Sequence, residues 1–133
     1  MMTISAQKAK KYTGIFPAFY ACYDDAGEIS PSRTRELAKY LLAQGVQGLY
    51  VNGSSGECVY LSVSERKTVL ENVMEAVGGK MTVISHVACN NTRDSMELAR
   101  HAKELGADAI AAIPPIYFHL PEHAIAKYWN DIS

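Results

Sequence analysis

Short, almost unbroken apolar runs alternate with longer stretches in which apolar residues recur every three or four positions. The runs are Thr13 to Ala21, Val46 to Val51, Met81 to Ala88 and Ala109 to Pro115. Each is short and rich in strand formers, so each is expected to be a strand. Pro17 makes the first an edge strand or an interrupted one, because proline brings no N–H to a ladder.

The stretches between them carry helix signals. Ser30-Pro31 offers an N-cap with proline in the first turn, with Leu37, Tyr40 and Leu41 on one face and Gly45 as the stop. Ser62 and Glu65 form a capping box ahead of Val69, Leu70, Val73 and Val77, and Gly78-Gly79 ends that helix. Asn90-Asn91-Thr92 caps a third helix with Met96, Ala99, Ala102 and Leu105 as its expected buried stripe, closed by Gly106. A fourth helix opens at Pro121 and runs through Tyr128 and Trp129. Met1 to Tyr12 is a polar, basic lead outside this repeat.

Four strand-helix units spaced by about 30 residues, with continuous rather than alternating apolar strands, predict an α/β fold with a parallel sheet covered by helices. Two architectures fit. A flavodoxin-like doubly wound sheet would be complete at this length, whereas a (β/α)8 barrel needs roughly 250 residues, so four units would supply its first half.

One turn stands out chemically. Gly53-Ser54-Ser55-Gly56-Glu57 follows the second strand and precedes the capping box. Its glycines permit unusual backbone angles or a close approach by a ligand, its serines add hydroxyls, and consecutive amides in such a turn suit a carboxylate or phosphate. The same residues also suit a plain strand-to-helix turn. Neither a Walker A lysine nor a G-x-G-x-x-G pattern is present. Glu57 is expected to stand behind the turn and hold it by accepting backbone N–H bonds.

Composition narrows the classes. The chain has 133 residues, 48% hydrophobic and 20% charged, with a formal net charge of −1, the profile of one soluble domain with no nucleic-acid partner. No apolar run reaches the roughly 18 residues of a membrane span, and the polar start carries no export signal, so a cytoplasmic location is expected. Cys22, Cys58 and Cys89 are odd in number and widely spaced, which fits reduced packing residues. His119-Leu-Pro-Glu-His123 matches an H-x-x-E-H zinc pattern, but Pro121 would start a helix between the two histidines and part their rings. No metal or cofactor is expected. His86 within the third strand reads as a hydrogen-bonded core histidine, and Tyr117, from spacing alone, as a packing aromatic at a strand end.

Gly48-Leu-Tyr-Val-Asn-Gly-Ser-Ser-Gly-Glu57, Leu61-Ser-Val-Ser-Glu-Arg66, Ile84-Ser-His-Val-Ala-Cys89 with Thr92, and Pro114-Pro-Ile-Tyr117 follow one another in the order and spacing of a known family. Together they resemble the N-terminal half of the N-acetylneuraminate lyase and dihydrodipicolinate synthase family, closer to the lyase branch. The resemblance runs from about Gly14 to Ser133. It implies the barrel, with residues 13–133 as a half truncated before strand five, and a homo-oligomer, tetrameric in the family. It also implies class I aldolase chemistry, in which a lysine forms a Schiff base with pyruvate and the imine acts as an electron sink. In that setting Gly53, Ser54 and Ser55 would hold the pyruvate carboxylate, and Tyr117 would join Ser54 in a hydroxyl relay.

The sequence departs from the family in three ways. Ala21-Cys22 stands where Thr-Pro is usual, and Ser55 where many members have threonine. The Schiff-base lysine and a second catalytic tyrosine fall beyond Ser133. Lys39, Lys67, Lys103 and Lys127 lie in expected helices, while Lys8, Lys10, Lys11 and Lys80 precede strands, the wrong end of a barrel for chemistry. The expectation is therefore a chain inactive alone, part of a pyruvate-dependent lyase. The alternatives are a dihydrodipicolinate synthase-like condensation and a non-enzymatic half barrel that binds anions or assembles through its open edges.

Overall fold

A computed structural model describes residues 10–133; most of the basic lead lies outside them. Helix α1 spans Pro31–Ala43, strand β1 Gly48–Val51, helix α2 Val63–Val77, strand β2 Thr82–His86, helix α3 Thr92–Glu104, strand β3 Ala109–Ala111 and helix α4 Glu122–Ile132. A single 3-10 turn, Ser54–Gly56, sits between β1 and α2.

The helix starts are set by local chemistry. Ser30 accepts from the Arg33 amide with Pro31 in the first turn, and Asn91 accepts from the Asp94 amide. Ser62 and Glu65 close a reciprocal capping box in which the carboxylate accepts from the Ser62 amide at 2.7 Å. Each cap satisfies amides that the first turn leaves without partners.

The strands are parallel and ordered β1-β2-β3, with Leu49 opposite Val83 and Ile84 opposite Ala109. The N-terminal segment lies on the far side of β1. The Phe19 amide donates to the Tyr50 carbonyl at 2.9 Å and the Tyr50 amide to the Pro17 carbonyl at 3.0 Å. Spatial order thus follows chain order with no switch point, and consecutive helices pack on one another, α1 on α2, α2 on α3 and α3 on α4. A flavodoxin-like sheet would place a later strand on the other side of the first, so the arrangement is the barrel one.

The core lies between strands and helices. Leu49, Val51, Val83 and Val87 meet Val69, Leu70, Val73 and Val77 of α2, as the apolar stripe of that helix predicts.

Several expectations are corrected. Thr13 to Ala21 forms no continuous strand and makes only an isolated parallel bridge, Ala18 with Tyr50. Pro17 contributes its carbonyl but has no N–H, so the ladder breaks there. The fourth strand shortens to Ala109–Ala111, because Pro114 and Pro115 cannot donate to a ladder. On α1 the buried face is Thr34 and Ala38, with Leu37 and Leu41 beside it, and Tyr40 points outward. On α3 Ser95, Leu98 and Ala102 are buried, while Met96, Ala99 and Leu105 are only partly covered.

Candidate active site

The C-terminal ends of the strands collect the unusual backbone. Asn52 (φ 61°), Glu57 (φ 58°) and Tyr117 (φ 86°) are the non-glycine residues with positive φ among those described. Two of them bracket the serine turn after β1, and the third lies in the loop after β3. Such angles cost a side-chain-bearing residue of order 1 kcal/mol or more and persist where the surroundings enforce them.

In the serine turn the Gly56 amide donates to the Gly53 carbonyl at 3.0 Å and the Glu57 amide to the Ser54 carbonyl at 3.0 Å. The Ser54 and Ser55 amides precede the first bond of this turn, and both residues are exposed. Glycine is required at its end, since a Cβ on Gly56 would stand 2.7 Å from the Phe19 carbonyl oxygen. That contact seats the turn against the N-terminal segment.

Below the turn is a buried polar network. Asn52 donates through Nδ2 to the Arg66 carbonyl at 2.9 Å, and its own carbonyl faces His86 Nδ1 at 3.0 Å. Arg66, 2% exposed, donates to the carbonyls of His86 (2.7 Å) and Ala88 (2.9 Å) and lies 3.2 Å from Cys89 Sγ. The Ile113 amide donates to His86 Nε2 at 3.4 Å, and the Ile116 amide donates to Asn90 Oδ1 at 2.8 Å. The loops after β1, β2 and β3 are thereby tied together. His86, 3% exposed, is the hydrogen-bonded core histidine its place in a strand suggests. Burial, and then the Arg66 charge, pull its pKa below the ordinary value. Burial pushes the Cys89 thiol up.

A cleft of about 240 Å³ opens beside this network, lined by Cys58, Ser62, Arg66, His86, Asn91 and Ile116 among others. Ser54, Ser55 and Tyr117 do not line it.

Glu57 does not hold the turn through backbone amides. Its Oε2 accepts from the Tyr23 hydroxyl at 2.5 Å, which pushes the Tyr23 pKa up to about 12. A carboxylate carried at a left-handed residue is aimed away from the amides of its own turn and takes a phenol 34 positions distant in sequence. Tyr117 is not a packing aromatic: it is 89% exposed, its ring lies edge-on to Phe118, and no hydrogen bond joins it to Ser54 among the described residues. His119 precedes α4 and is exposed, and His123 sits in the first turn of α4, so the two do not share a helix face.

The profile of the dihydrodipicolinate synthetase family matches residues 11–133. The chain belongs to that family. Its sequence is 69% identical over 124 residues to an N-acetylneuraminate lyase of Mediterraneibacter gnavus, covering 93% of this chain and 39% of the relative. The structure superposes with a TM-score of 0.91 on a catalytic lysine mutant of the Ruminococcus gnavus sialic acid aldolase, 69% identical, covering 92% of this chain and 40% of that one. It superposes at 0.87 on YagE, a prophage protein of the dihydrodipicolinic acid synthase family from Escherichia coli K12 solved in complex with pyruvate, 30% identical and covered to 41%. The chain thus spans about two fifths of the length of these (β/α)8-barrel relatives.

No lysine among the described residues takes the position class I aldolase chemistry needs. Lys67 pairs with Glu97 across α2 and α3, and Lys127 with Asp131 within α4. Lys80 donates to the Ala76 carbonyl ahead of β2. Lys11 pairs with Asp108 below the strands, and the hydrogen bond to that carboxylate raises its pKa, the opposite of what an imine-forming amine requires.

Proposed function

We propose that this chain is the substrate-carboxylate half of a pyruvate-dependent class I aldolase of the N-acetylneuraminate lyase type. Residues 13–133 supply the first four strand-helix units of its barrel, and the Schiff-base lysine comes from sequence outside them. The observation that carries this is the serine turn. Ser54 and Ser55 present hydroxyls, and amides ahead of the first turn bond, at the C-terminal end of a parallel strand, where barrels of this class work.

In the proposed reaction, Gly53, Ser54 and Ser55 bind the carboxylate of the 2-oxo acid and fix its carbonyl carbon toward the lysine. Tyr117 and Ser54 move a proton between the substrate hydroxyl and solvent, which requires the Tyr117 loop to move toward the turn on closure. Glu57 acts behind the turn, through Tyr23. The exposed apolar residues Ile116, Phe118 and Leu120 beside Tyr117 support a homo-oligomer in which that loop is covered. No described helix is long and apolar enough to cross a membrane. A cytoplasmic location remains the expectation from composition.

The test is pyruvate release from N-acetylneuraminate by the full-length protein, compared with condensation of pyruvate with a small aldehyde. Cleavage well ahead of condensation is expected. Condensation alone would move the assignment to the synthase branch, and neither reaction would refute it.

A further inference from the structure

We propose that His86 is a positioning residue that couples the serine turn to the Tyr117 loop through the two nitrogens of its ring. Nδ1 lies 3.0 Å from the Asn52 carbonyl, one residue before Gly53, and Nε2 lies 3.4 Å from the Ile113 amide, four residues before Tyr117. A carbonyl can only accept and an amide N–H can only donate, so the partners fix the ring: Nδ1 carries the proton and Nε2 is bare. The loops after β1 and β3 therefore hold the same neutral imidazole. Asn52 is left-handed and Tyr117 is left-handed, so each end of this tie leads directly into enforced backbone.

The ring is enclosed by groups that keep it in this form. Arg66 from α2 donates to the His86 carbonyl, the Tyr50 ring from β1 lies 6.1 Å away centre to centre, and Cys58, Cys89 and Asp94 line the adjoining cleft. From β3 the ring meets the Ile113 amide, a donor. Protonation at Nε2 would set two donors against each other and release the β3 loop while the Asn52 bond survives. The second tie of that loop, the Ile116 amide to Asn90 Oδ1, lies beyond the break, so release would loosen residues 113–115 and re-aim the chain into Tyr117.

The inference rests on the serine turn and Tyr117 serving one reaction, but its structural part can be read without substrate. The experiment is long-range ¹H–¹⁵N correlation on the full-length protein labelled at histidine rings and isoleucine amides, with His86 signals assigned by their loss in His86→Gln. The expected result is an Nδ1–H tautomer that persists below pH 6.5, the ordinary histidine value. When the ring finally protonates, the Ile113 amide should shift in step. In His86→Leu, exchange of the Ile113 amide should speed up by about tenfold, the loss of one modest, part-buried hydrogen bond. His86→Gln, which keeps an acceptor, should restore part of that protection. An Nε2–H tautomer, titration near the ordinary value, or an Ile113 amide indifferent to both substitutions would overturn the proposal. If these signatures hold while pyruvate fails to react, the tie stands and the aldolase assignment fails. If pyruvate reacts and His86→Leu leaves both the exchange and the pyruvate KM unchanged, the assignment stands and the tie fails.

Discussion

Replacing Arg66 with methionine removes the strut at the centre of the strand ends. The side chain is 2% exposed, and its guanidinium donates at 2.7 Å to the carbonyl of His86, the last residue of β2, and at 2.9 Å to that of Ala88 just beyond it. Hydrogen bonds from a charged donor contribute about 1.5–3 kcal/mol each, so losing two gives about 3–6 kcal/mol. Methionine returns some packing and removes the cost of burying the charge, which brings the expected loss to about 3 kcal/mol. Against a typical total of about 5–15 kcal/mol this is a large fraction. Urea denaturation followed by circular dichroism should show an earlier midpoint with an unchanged slope. Arg66→Lys, with one point charge for two carbonyls, should recover only part of the loss. A methionine variant within about 0.5 kcal/mol of the parent would refute the account of this network, since surface substitutions give changes of that size.

Ser55→Ala should raise the pyruvate KM by about tenfold or more, the worth of one hydrogen bond to a carboxylate, with a smaller effect on kcat. Ser54→Ala and Tyr117→Phe should instead lower kcat by about 10²-fold or more, as loss of a proton relay does; steady-state kinetics separates the two patterns. Gly56→Ala places a Cβ 2.7 Å from a backbone oxygen and should cost about 1–3 kcal/mol, read as a lower melting temperature. Tyr23 should ionise at about 12 by ultraviolet titration, and Glu57→Gln should bring it back toward 10. Because the folded-state value is the raised one, its contribution to stability is full below pH 10 and is lost as pH climbs through about 12.

The local signals in the sequence were legible because their chemistry is local. Ser30-Pro31 and the Ser62/Glu65 box sit within a few residues of the amides they satisfy, and α1 and α2 begin where they predict. The apolar run Val46 to Val51 became β1 through burial that its own side chains supply. The N-terminal run failed as a strand for a reason also present in the sequence, the missing donor at Pro17, but how far the ladder would break depended on β1. The serine turn was legible as a glycine-flanked strand-to-helix turn, yet its partners were not. Glu57 and Tyr23 are 34 residues apart, and nothing in either neighbourhood announces the other. Arg66 precedes Val69, Leu70 and Val73 by three, four and seven positions and so shares their buried face. That spacing was the signal that could have found it. From spacing alone Tyr117 reads as a packing aromatic at a strand end, but two prolines upstream end β3 early and carry it out into solvent.

Incubating the full-length protein with pyruvate and borohydride, then measuring intact mass and mapping the modified peptide, tests the central claim most directly. The account predicts one reduced pyruvate per chain, on a lysine outside residues 1–133, with the yield reduced in Ser55→Ala at limiting pyruvate. Failure to trap any adduct, or an adduct on Lys11, Lys67, Lys80 or another lysine within these residues, would contradict it.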